Sequence, residues 1–225
     1  MNVAEKIYPG NVPRPTPLVI NDQEAGLLLI ATPWGGRAQV EKAMKMLFDY
    51  YVLSKTDNEA TSPLPRLPGL TPAANSLRIG TLLANENIYE QCNKNEFSQA
   101  SELLAISKVD RELIWIQAGQ PHLFLFRNGN LLPLSISVDL SVDFNSTIPL
   151  PGKLLGIDRQ VEIETKSINV QPGDRIIVLS RTSVPLSLLT LDLGQTKEDE
   201  LCSALFNVVV RTDPAQPFWI AVIDP

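Results

Sequence analysis

The sequence predicts an α+β fold: two sheets of mostly antiparallel strands with helices packed outside them. Three observations carry this. Helical apolar spacing is confined to two neighbouring stretches in the first half and a short one near the end. From Leu103 onward the pattern changes to short strands divided by turn signals. No linker, internal repeat or low-complexity segment separates two cores, so residues 1–225 are expected to form a single domain.

The elements follow in order. Pro9, Pro13, Pro15 and Pro17 are expected to keep the first segment extended or looping, because proline fixes φ and removes a donor. Gly26 to Ala31 reads as a buried strand, and Thr32-Pro33-Trp34-Gly35-Gly36 as the turn after it. Val40, Met44, Leu47, Phe48 and Tyr51 recur at helical steps and define one buried face. After a second proline cluster, Pro63 to Pro72, a helix from about Pro72 to Lys94 carries Leu77, Thr81, Ala84 and Ile88 on one stripe. Strands are expected over Leu103–Ser107, Leu113–Ala118, Leu123–Arg127 and Leu131–Val138. Asn128-Gly129 favours a tight hairpin between the last two. Val161, Ile163 and Thr165 alternate with charged residues as a half-exposed strand would. Pro172-Gly173-Asp174-Arg175 turns into the buried strand Ile176–Leu179, and the acid of that turn is expected to cap local backbone donors. Thr196 can cap a last helix bearing Leu201, Leu205 and Val208, and Phe218 to Ile223 closes as a strand.

Composition excludes several chemistries. The chain of 225 residues has one histidine, His122, and two cysteines, Cys92 and Cys202. HExxH chemistry and CxxC sites are therefore impossible, and any triad has to run through His122. His122 has no evident nucleophile beside it and reads as a structural residue. Thr32 and Ser180 are hydroxyls without a nucleophile elbow or a base. A net charge of −6 and no basic run longer than two residues argue against nucleic acid. No apolar stretch is long enough to span a membrane, no secretory signal is visible, and Asn145-Ser146-Thr147 is read as a plain loop, so a cytoplasmic location is expected.

Five segments, in order, resemble the metal-dependent serine/threonine protein phosphatases of the 2C type. Glu24-Ala25-Gly26-Leu27-Leu28-Leu29-Ile30-Ala31-Thr32-Pro33-Trp34-Gly35-Gly36 is similar to the strand and turn where that family has Asp-Gly-Met-Gly-Gly. Ile116-Gln117-Ala118-Gly119-Gln120-Pro121-His122 with Arg127-Asn128-Gly129 looks like its Ala-Asn-Val-Gly-Asp-Ser-Arg hairpin and Arg-x-Gly turn. Leu154-Leu155-Gly156 resembles the family's Leu-Gly, and Gln171-Pro172-Gly173-Asp174 through Ser180 its Pro-Gly-Asp segment. Gln216-Pro217-Phe218-Trp219-Ile220-Ala221-Val222 stands in the place of Asp-Asn-Ile-Thr-Val. The resemblance covers nearly the whole chain and implies an α-β-β-α sandwich. The family's flap is short here.

In the family, carboxylates hold two divalent metals that activate a water for attack on phosphorus. In this register the Asn-Glu-Asp segment falls on Pro15-Thr16-Pro17 and the first-turn Asp on Thr32, with Pro33 in place of the following Gly. The hairpin Asp falls on Gln120, the Asp of Ser-Asp-Gly on Arg181, and the terminal Asp on Gln216. The phosphate-gripping arginine falls on Val12, with Arg14 close but out of register. The resemblance therefore implies a degenerate member without catalytic residues, metal ligands or cofactor. Such a chain is expected to act as a regulatory or scaffolding module through a protein partner, with no nucleic-acid or membrane partner; the sequence does not fix the oligomeric state. Thr16, Thr32, Gln120, Arg181 and Gln216 mark the altered site. Arg181 can bind a phosphate or carboxylate in place of metal charge, or be a surface arginine or the partner of a nearby acid in an internal ion pair. Trp34 can anchor a partner or plug the emptied metal pocket. The competing readings are an active phosphatase with relocated ligands such as Asp22, Glu24 or Asp213, and a phospho-ligand sensor using Arg181.

Overall fold

A computed structural model describes residues 1–56, 62–141, 149–191, 193, 196 and 198–225. The tripeptide Asn145-Ser146-Thr147 lies outside the described residues. The chain gathers into two compact units: one of Met1–Thr16, Gly119–Gly152 and Val170–Pro225, the other of Pro17–Ala118 and Lys153–Asn169.

The second unit is built on a five-stranded sheet. Its strands are β2 (Leu18–Asp22), β3 (Leu27–Trp34), β4 (Ala100–Val109), β5 (Glu112–Ala118) and β8 (Thr165–Asn169), hydrogen-bonded in that order and antiparallel throughout. Helices α1 (Arg37–Thr56) and α2 (Pro72–Ile88) cover one face. Val40, Met44, Leu47 and Tyr51 of α1 pack with Leu77, Ala84 and Ile88 of α2 on Leu27, Leu29, Leu103 and Ile114, so the helical spacing does define the buried face. Thr71 caps α2, its Oγ1 accepting from Ala74 N at 3.3 Å, with Pro72 in the first turn where its missing N–H costs nothing. A π-helical turn, Tyr89–Asn93, extends α2 almost to the expected end at Lys94.

That turn delivers Asn93 to a buried post. Its Nδ2 donates to Gly156 O and Gln99 O, both at 2.5 Å, while its Oδ1 accepts from Ser98 N and Gln99 N. Asn85 completes the clasp by accepting from Gly156 N at 2.7 Å and donating to the carbonyls of Asp158 and Arg159. Beside the bridge that Leu155 makes with Ser101, two asparagines thus satisfy backbone groups of this irregular loop. Gly156 has φ +88°, a conformation that side chains resist, and a Cβ there would lie 2.2 Å from Ile88 Cγ2.

The first unit has its own sheet in the order β1 (Asn2–Tyr8), β10 (Phe218–Asp224), β9 (Arg175–Ser180), β6 (His122–Arg127) and β7 (Asn130–Ser135), again antiparallel. Helix α4 (Glu198–Thr212) lays Leu201, Leu205 and Val209 on Ile177, Leu179, Phe218 and Ile220, and a short turn of helix, α3 (Leu186–Leu189), adds Leu188. Asp174 fixes the turn before β9. It accepts from Gln171 N at 2.7 Å and takes both Arg127 Nε and Nη2, at 2.8 and 2.6 Å. The Arg127 bond holds its carboxyl below the usual carboxylate range.

Two five-stranded antiparallel sheets flanked by helices match the expected α+β class. Four local expectations are corrected. The proline-rich start contains β1 and β2, which the prolines flank without entering. Thr32 and Pro33 belong to β3, where Thr32 pairs with Glu102 and Pro33 with Ser101. The β2 ladder ends at Ala31, so Pro33 has a strand on one side only and its missing N–H is tolerated. The strand expected at Val161–Thr165 lies instead at Thr165–Asn169. Val161 and Ile163 pack against the core without pairing, since alternation reports burial of one side and not a ladder. The strand expected to reach Val138 ends at Ser135 as β7, and the chain then bridges to Pro151 through Asp139.

Candidate functional site

In the first unit, the residues singled out by sequence lie at the ends of β6 and β9 and before β10. Gln120, 1% exposed, accepts from Arg14 Nη2 at 2.8 Å and donates to Asp139 Oδ2 at 3.3 Å. Asp139 Oδ1 accepts from Ser141 N, Ser141 Oγ and Leu150 N, at 3.0, 2.5 and 2.9 Å. The amide thus links a guanidinium to a buried carboxylate, and that carboxylate holds the backbone amides of Ser141 and Leu150. Sequence reading missed Asp139. Its signal is the inverted alternation of Ile136-Ser137-Val138-Asp139-Leu140, in which Ile136, Val138 and Leu140 are 48%, 64% and 41% exposed while Asp139 is buried.

His122 is 1% exposed and bonded on both nitrogens. Nε2 donates to the Arg181 carbonyl at 2.8 Å, and Nδ1 accepts from Ser137 N at 3.2 Å. The partners dictate the neutral Nε2–H tautomer, because a carbonyl only accepts and a backbone amide only donates. Burial is the main force that pushes the imidazole down to about 4; the Arg181 carbonyl opposes it, Arg14 adds to it, Asp139 opposes it and the Arg181 charge adds to it. This is a structural histidine, as the sequence suggested.

Arg181 follows β9 and is 2% exposed. Its Nη2 lies 3.5 Å from Asp213 Oδ2, the internal ion pair anticipated for it. Burial lowers its pKa and Asp213 raises it. Among the described residues the buried Nε has no hydrogen-bond partner, nor has Gln216 Oε1. Gln216 stands in the turn after α4, where its N–H reaches Asp213 O at 3.4 Å. Thr16 is exposed.

In the second unit, Thr32 is fully buried and its Oγ1 makes no hydrogen bond among the described residues. Its ladder partner is Glu102, a carboxylate 0% exposed that sequence reading also missed, hidden in the apolar run of β4. Trp34, at the end of β3, is half-buried. Asp22 accepts from Ala25 N at 2.6 Å and so belongs to the β2–β3 turn, while Glu24 is exposed. The structure therefore brings Gln120, Arg181 and Gln216 into one unit and places Thr32 and Trp34 in the other.

Two divalent metals, which the resemblance implies for an active member, do not fit these donors. Arg181 puts a buried cation where a carboxylate ligand is expected, and the Gln120 amide oxygen is taken by Arg14. Among the described residues no group of three or more His, Cys, Asp or Glu is placed to hold a metal ion.

No protein-family model and no curated protein sequence matches the chain. Solved structures do match over its full length. The PPM Ser-Thr phosphatase MsPP from Mycobacterium smegmatis, in complex with cacodylate, superposes with a TM-score of 0.70 at 17% identity, covering 100% of this chain and 98% of that one. The Mycobacterium tuberculosis serine/threonine phosphatase PstP/Ppp gives 0.63 at 18% identity, over 98% and 97%. PppA, a key regulatory component of T6SS in Pseudomonas aeruginosa, gives 0.63 at 19% identity, over 98% and 96%. The fold is that of the 2C-type phosphatases.

Proposed function

We propose that this chain is a catalytically inactive 2C-type phosphatase-like protein that serves as a regulatory or scaffolding module through protein contacts. The observation that carries the reading is the burial of Arg181, a guanidinium 2% exposed, which the sequence resemblance aligns with a metal-binding carboxylate of the family. A cation buried there opposes a dication electrostatically, and taking any ion out of water is already costly. Thr32, Gln120 and Gln216 carry no charge, so nothing at the other altered positions offsets it. Contact surface is available in the first unit, where Leu132, Ile136, Val138 and Leu140 are each more than 40% exposed along one extended segment. One protein of this fold, PppA, is a regulatory component; here regulation runs through binding.

The test combines two readings on the purified chain. With manganese or magnesium supplied, phosphoserine peptides and aryl phosphates are turned over no faster than in buffer, and metal-dependent turnover would refute inactivity. Partners captured from the source by the wild type are lost by the folded Ile136→Asp/Val138→Asp variant; retention of all of them would remove the contact surface from the account.

A further inference from the structure

We propose that Arg181 anchors a binding site for a compact oxyanion of the phosphate class. A guanidinium presents five N–H donors in a rigid fork and accepts nothing. Arg181 is among the largest fully buried side chains of the described residues, yet its Nε donates to nothing there. Its ion pair with Asp213 is long: 3.5 Å from Nη2 to Oδ2, against the roughly 2.7–2.9 Å of a formed charge-assisted bond. Asp213 is also committed elsewhere, since its Oδ1 accepts from Ala215 N at 3.0 Å, and its side chain is 39% exposed. It neutralises Arg181 from a distance without closing the fork. Buried polar groups are nearly always satisfied, so a charged donor left open in this way points to a missing acceptor.

The surroundings select its chemistry. His122, bonded to the Arg181 carbonyl, is neutral and brings no competing charge, while Arg14 and the Asp139 carboxylate bear on the same imidazole with opposite sign; Asp139 Oδ1 is taken up by Ser141 and Leu150 and its Oδ2 by Gln120. Gln216, in the turn that holds Asp213, has a buried Oε1 with no donor among the described residues, which suits the O–H of hydrogen phosphate or of a water that accompanies the ion. Planar bidentate contact with an oxyanion uses Nε and one Nη together, and the half-exposed Asp213 is free to turn to water as the ion takes its place. The site does not depend on the catalytic status of the chain. Its failure leaves the inactive reading intact, and metal-dependent turnover leaves this site to be judged on its own.

The full chain is titrated with sodium phosphate and, at equal ionic strength, with sodium chloride. The readout is the arginine Nε–Hε resonance that is absent from the Arg181→Lys spectrum. Phosphate shifts it saturably and chloride does not. Arg181→Lys binds about tenfold more weakly, because an ammonium cannot form the fork. Asp213→Asn binds about fivefold more tightly, because the internal competitor has lost its charge. A resonance unmoved by phosphate overturns the proposal. So does phosphate affinity unchanged in both variants. If Arg181→Lys does not fold, the wild-type titration identifies the signal by its response, and Asp213→Asn decides: affinity equal to or below wild type overturns the site. A phosphoserine peptide run beside inorganic phosphate separates the two sources of the ligand. Tighter peptide binding assigns a phosphoprotein and tighter ion binding a free metabolite, and either result supports the site.

Discussion

Gly156→Ala is expected to cost about 2–5 kcal/mol, from left-handed backbone strain of roughly 1–2 kcal/mol and overpacking of about 1–3 kcal/mol. The φ of +88° is unfavourable for alanine, and the new methyl would lie 2.2 Å from Ile88 Cγ2 and 2.8 Å from Ile88 Cβ. Ile88 is buried in the α2 face of the core and cannot move aside without opening that packing. The carbonyl and amide of residue 156 are also held by Asn93 and Asn85, so the loop cannot shift to relieve the clash without releasing both. Two other glycines separate the contributions. Gly173 has φ +89° with nothing within 4 Å of a Cβ, and Gly69 also has nothing within 4 Å and no positive φ. Thermal melts should therefore order the alanine variants Gly69, then Gly173, then Gly156, with the last lowered by about 10 °C, at 2–4 °C per kcal/mol for a chain of this size. Equal melting of the Gly156 and Gly173 variants would contradict the packing account.

His122 makes stability depend on acid. Its pKa falls from 6.5 in the unfolded chain to about 4 in the fold, so the unfolded state takes up the proton first. The stabilisation is fully present above pH 6.5 and is lost as pH falls through 6.5 toward 4. At 1.36 kcal/mol per unit the loss amounts to about 3 kcal/mol. A proton on Nδ1 would face Ser137 N–H, which has no lone pair to receive it, and would add a charge beside Arg14 and Arg181; the Arg181 carbonyl and the Asp139 charge favour it but do not outweigh burial. His122→Gln keeps a donor for the Arg181 carbonyl and cannot titrate. At neutral pH it should be the less stable protein, by about 1 kcal/mol for imperfect bonding and packing. The deficit should shrink and reverse as pH falls toward 4, measured by urea unfolding across the range. Carboxylates titrate in both proteins and cancel in the difference. A gap that stays constant with pH would contradict the neutral, doubly bonded imidazole.

The sequence disclosed what depends on short-range pattern. The buried faces of α1 and α2 followed from apolar spacing, and the β6–β7 hairpin from Asn128-Gly129, both of which adopt positive φ. Strands β1 and β2 were illegible for the opposite reason. β1 is an edge strand exposed along most of its length, and β2 also lies at an edge, so neither carries a long apolar run, and the flanking prolines advertise a loop. Gln120, Arg181 and Gln216 were found only by their register against a known family, because each is unremarkable in its own neighbourhood. Asp139 and Glu102 were missed since a buried acid looks like a surface acid until its partners are known. In Asp139 those partners are Gln120, Ser141 and Leu150, drawn from two separate stretches of chain.

We propose that the frame of a metal-dependent phosphatase is kept here without a place for its metals. Calorimetric titration of the chelator-treated chain with manganese tests this most directly. No saturable heat beyond dilution and no change in melting temperature are expected. Saturable binding of one or two manganese ions, with a matching rise in melting temperature, would contradict it.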